Sequence, residues 1–139
     1  MMKHLLTGLL LIFFTLISIN GVVAQSDKQD NMPDPDKMQT YYMALLKRGP
    51  DRSHDSLTAA KIQEGHMAHI MQMARDKKLV LAGPFLDNGD LRGIFVFNVS
   101  SMEEALELTN EDPAVKSGRL IMEIHPWYGP TMLKDISWE

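Results

Sequence analysis

A chain of 139 residues has room for one domain and an appendage. The absence of cysteine excludes disulfides, thiolate catalysis and cysteine-bound metal, so the domain must rest on its apolar core, alone or extended by association. A net charge of −4, without a basic patch interleaved with aromatics, argues against nucleic acid as a partner.

The chain opens on Lys3 and His4, then an apolar run from Leu5 to Ile19, then Gly21-Val22-Val23-Ala24. A basic start, about 15 apolar residues and a small-residue ending have the form of a secretory signal peptide cut after Ala24. Residues 1–24 are therefore expected to direct export, to a periplasm or the medium, and to leave no membrane attachment once removed. An uncleaved anchor of about 20 residues is the alternative. Without residues 1–24, 13 Lys+Arg face 18 Asp+Glu, a charge of −5. Residues 25–37, polar and holding Pro33 and Pro35, read as a flexible linker, and residues 38–139 as the folded domain.

Met38 to Lys47, rich in Tyr, Leu and Met and bounded by Arg48-Gly49-Pro50, is predicted to be a strand. After a polar loop, Ser56 to Lys77 is predicted to be a helix. Ile62, His66, His69, Ile70 and Met73 fall on one stripe of it at about 100° per residue. Leu79 to Ala82 is a short buried strand that Gly83-Pro84 breaks, and Asn88-Gly89 turns the chain into a third strand, Leu91 to Asn98. Ser101 and Glu104 form a capping box opening a second helix that runs to about Asn110 and cannot pass Pro113 undisturbed. Leu120 to Trp127 is the last strand.

The order β-α-β-β-α-β is the split βαβ arrangement of ferredoxin-like α+β folds, with a four-stranded antiparallel sheet. Such a sheet, with helices on one face only, alternates apolar and polar residues. Ile94 to Phe97 and Tyr41 to Leu46 are instead apolar on both faces. The second face needs a cover, and a homodimer packed sheet against sheet would supply it.

His66, on the apolar stripe of the first helix, points toward the sheet. It is a candidate proton-transfer group, or else a hydrogen-bonded core histidine. Gly65 beside it costs helix stability, about 1 kcal/mol against Ala, which suits close approach of another group or crowding by the sheet. Asp112 precedes Pro113 and can cap a helical turn starting there, while its second oxygen stays free for an imidazole. His69 lies one turn after His66. The pair could present two imidazoles to a metal, with His54, His125 or Glu123 as further donors, but no tight ligand cluster accompanies them and no metal is expected. Gly83 and Pro84 at the strand end, together with His69 and His125, are candidates to line a small-molecule site. For His69 the alternative is a half-exposed edge position, and for His125 a pairing with a charged neighbour.

His66, Ala82-Gly83-Pro84, Gly93, Asp112-Pro113, Gly118 and Pro126-Trp127, in this order and spacing, resemble the YCII-related (YciI-like) family over about Met38 to Trp127. The resemblance implies a ferredoxin-like domain related to the dimeric α+β barrels, with a His/Asp acid-base dyad at His66 and Asp112. Two functions follow. The first is a cofactor-independent enzyme in which His66 takes a proton from a small cyclic or enolisable substrate, with isomerase- or lyase-like chemistry. The second is a non-catalytic dimer that binds a small molecule or a partner. An open pocket holding both residues would favour the first.

Overall fold

The computed structural model describes residues 33–138; the expected signal segment, 1–24, and most of the expected linker lie outside them. Strand β1 (Met38–Arg48) is followed by helix α1 (Ser56–Arg75), strands β2 (Leu79–Pro84) and β3 (Leu91–Phe97), helix α2 (Met102–Glu111), a one-turn helix α3 (Pro113–Lys116) and strand β4 (Leu120–Pro130). Short 3-10 turns lie at Pro35–Lys37 and Thr131–Asp135. The sheet order is β2-β3-β1-β4 and every neighbouring pair is antiparallel. This is the ferredoxin-like α+β arrangement expected from the order of elements, with α3 added.

Local chemistry sets the ends of the elements. The Asp55 side chain accepts the Thr58 amide and starts α1. At the other end Lys77 adopts φ 58°, and the Lys78 amide closes onto the Met73 carbonyl, so the helix stops at Arg75 rather than at Lys77. The Ser101 hydroxyl accepts the Glu104 amide as predicted, but the Glu104 carboxylate reaches back to the amide and hydroxyl of Ser100, one residue earlier than a capping box requires. Strands β2 and β4 run through Gly83-Pro84 and Pro126. Both are edge strands, where a missing N–H can face away from the ladder.

Between the helices and the sheet lie Ala44, Leu46, Phe95, Phe97 and Leu79, against Ile70 and Met73 of α1 and Ala105 of α2. The opposite face buries Tyr41, Val80 and Val96, packed by Trp127 and Leu133. Part of the cover for this second face therefore comes from the chain's own tail. The Tyr41 hydroxyl donates to the Pro130 carbonyl at 2.9 Å, and Leu133 packs on this face. The tail then passes beside Val80 to Ala82 of β2, and Trp138 packs on the helix side of the sheet. Leu45 and Ile94 stay half-buried and Ile121 is half-exposed.

Candidate active site

The predicted stripe of α1 faces inward: His66, Ile70 and Met73 are buried, and Ile62 and His69 are half-buried. Gly65 explains how His66 comes up against the start of α3. A Cβ at this position would sit 3.1 Å from the Pro113 ring, so the glycine lets α1 lie directly on α3. The close neighbour is this proline, not the sheet.

That contact brings Asp112 to His66. His66 Nδ1 lies 2.7 Å from Asp112 Oδ2, with His66 only 7% exposed and Asp112 fully buried. Asp112 Oδ1 accepts the Ala114 amide at 2.8 Å and caps α3, so each oxygen serves a different donor. A carboxylate only accepts, so Nδ1 carries the hydrogen of the short contact and Nε2 holds the lone pair in the neutral ring. Phe95 stacks on the imidazole, with centroids 5.9 Å apart and planes 17° from parallel, and fixes its plane. After α3, Gly118 at φ 71° turns the chain into β4, a conformation that favours glycine.

Two cavities meet at His66. One, of about 240 Å³, is mainly apolar and lined by Met67, Ile70, Phe95 and Trp138, with Gly83 and Pro84 at its end. The other, of about 280 Å³, is mainly polar and is lined by Arg52, Arg92 and Arg119, with Gln63, His66 and Pro84. Desolvation first, then the like charges of Arg119, Arg48 and Arg92, press the Arg52 guanidinium below its ordinary value.

Gly83 and Pro84 thus share a cavity with His66, and Asp112 lies behind the ring. His69 and His125 are not brought to either cavity. Three residues after His66, His69 is rotated toward α2, and its Nε2 lies 2.8 Å from the Leu108 carbonyl. His125 lies on the far face of β4, where its Nε2 meets Glu123 at 2.8 Å. Lys47 first, then His125, hold the Glu123 carboxyl below its usual range. Among the described residues, no three His, Asp or Glu side chains gather as a metal site. Sequence reasoning missed the three arginines, Phe95 and Trp138 as cavity residues. Arg52 lies in the polar loop before the first helix, Arg92 in the predicted third strand and Trp138 beyond the last predicted strand, and only the topology joins them.

Residues 40–128 match the family model described as YCII-related domain. An uncharacterized protein of Bacillus subtilis, YjpA, is 35% identical over 63 residues, a stretch that is 45% of this chain and 72% of that protein. Among solved structures, 5-chloro-2-hydroxyhydroquinone dehydrochlorinase (TftG) from Burkholderia phenoliruptrix, in complex with 2,5-dihydroxybenzoquinone, is similar at a TM-score of 0.45 and 22% identity, covering 61% of this chain and 92% of that one.

Proposed function

Since this chain belongs to the YCII-related domain family, whose matched span holds both His66 and Asp112, we propose that it is a small-molecule enzyme working through that pair. His66 Nε2, across the ring from Asp112, takes a proton from a small cyclic or enolisable substrate and returns it in an isomerisation or elimination. Asp112 holds the tautomer and supports the imidazolium as it forms. The observation that carries this reading is the 2.7 Å contact between His66 and Asp112 directly beside two cavities. The step proposed is a proton transfer between substrate and imidazole, which draws on no cofactor.

The test is a thermal-shift screen of small cyclic and enolisable compounds on wild type and His66→Asn, followed by turnover assays on the hits. His66→Asn is expected to lower turnover by about 10²-fold or more, the range for general acid-base catalysis. Turnover equal to wild type in that variant would remove the reading.

Export through residues 1–24 belongs to the same proposal, on the basis of the apolar run and the small-residue ending. N-terminal sequencing of protein from the exported fraction tests it, and a retained Met1 there would refute cleavage. Assembly as a homodimer belongs to the proposal too, through the uncovered part of the second sheet face, where Ile121 is 49% exposed and Leu45 and Ile94 are half-buried. A monomeric mass by light scattering at working concentration would count against it.

A further inference from the structure

The arginines of the polar cavity neither give nor take the proton in the proposed step, yet three of them line it beside His66 in a chain whose net charge is negative. Among the described residues, no carboxylate lies within ion-pair distance of Arg52, Arg92 or Arg119, whereas the nearby Arg48 does meet Asp90 at 3.9 Å. Asp51 is the acid that feels Arg119, weakly, and it is already engaged by the amide and hydroxyl of Ser53. The arginines' hydrogen bonds go to backbone: Arg52 Nη1 donates to the Arg119 carbonyl at 3.2 Å, and Arg92 Nη1 donates to the Gly89 and Asp87 carbonyls at 3.1 and 3.4 Å. Each guanidinium has five N–H donors, so several on each remain for a ligand. Like charges around one cavity repel one another, and an anion between them reverses that cost. Guanidinium forks match carboxylate and phosphate oxygens.

We propose that this cavity holds the charged group of the substrate, a small organic oxyanion whose uncharged body passes His66 into the apolar cavity beyond. The inference rests on the preceding reading only in calling the bound molecule a substrate; the anion site itself is tested separately. Benzoate and phenyl phosphate serve as charged probes and benzamide as their neutral counterpart, titrated calorimetrically into the purified protein at low ionic strength.

At least one anion is expected to bind about tenfold or more tightly than benzamide, and added salt is expected to weaken it. Arg92→Gln and Arg119→Gln should each weaken that anion by about tenfold and leave benzamide unchanged. The ratio of benzoate to phenyl phosphate affinity identifies the oxyanion. If Arg119→Gln fails to fold, Arg92→Gln still decides, because the Arg92 side chain donates to carbonyls of an exposed loop. Equal binding of benzamide, failure of both anions to bind, or wild-type anion affinity in folded arginine variants would each overturn the proposal. His66→Asn separates the two readings. Anion binding kept with turnover lost supports both, and anion binding kept with turnover unchanged supports the anion site while removing the catalytic role of His66.

Discussion

The two oxygens of Asp112 serve different donors, and substitution can separate their tasks. Asp112→Asn keeps an acceptor for the Ala114 amide, and Asn is a good helix cap, so stability should change by about 1 kcal/mol or less. Its Nδ2 group would then face His66 Nδ1 as a donor only, which forces the other tautomer on the ring, and turnover should fall with that of His66→Asn. Asp112→Ala strands both donors in a fully buried place, at about 1–3 kcal/mol for each. Denaturant melts of both variants beside their rates check this; equal stability of the two would show that the cap contributes nothing. His66 was legible in the sequence because a helix repeats, and the stripe through Ile62, Ile70 and Met73 aims it. Asp112 was legible as a cap through the proline after it, and as the partner of His66 only through the family resemblance. The arginines were not, because a loop, a central strand and the entry to β4 contribute one each, and no spacing in a linear chain records that meeting.

At the scale of elements, the site depends on how closely α1 lies on α3. Gly65→Ala gains helix propensity, about 1 kcal/mol, but its methyl group would press on the stiff Pro113 ring. The two effects should leave the melting temperature near that of wild type while α3 shifts by a few tenths of an ångström and the His66–Asp112 contact lengthens. Turnover should therefore fall without matching loss of stability, measured by rates beside thermal melts; unchanged rates would show that α3 tolerates the methyl group. The elements themselves were legible because their signals are local: a capping aspartate, Ser101 before its helix, and apolar runs closed by glycine and proline. Their ends were less so. Lys77 in the left-handed region and the extension of β4 to Pro130 depend on backbone closure and on an edge position in the sheet, and neither is written in composition.

At the scale of the whole molecule, the sheet is apolar on both faces, and the second face is shared between the chain's own tail and a surface left open. Ending the chain at Pro130 should expose Tyr41, Val80 and Val96 and lower stability by about 3 kcal/mol. It should also raise the mass seen by light scattering, as the bared face finds other apolar surface. A shortened chain that melts and scatters like the full one would show that the tail contributes little. The tail's path has one more consequence. Between Leu133 on one side of the sheet and Trp138 on the other it fences the border strand β2, where a foreign strand could otherwise dock. The opposite border, β4, is notched by Pro126 and Pro130, which offer no N–H. Strand-by-strand growth into fibres is thus obstructed at one border by a strap and at the other by two gaps in the ladder, leaving Leu120 to His125 as the stretch through which it would begin.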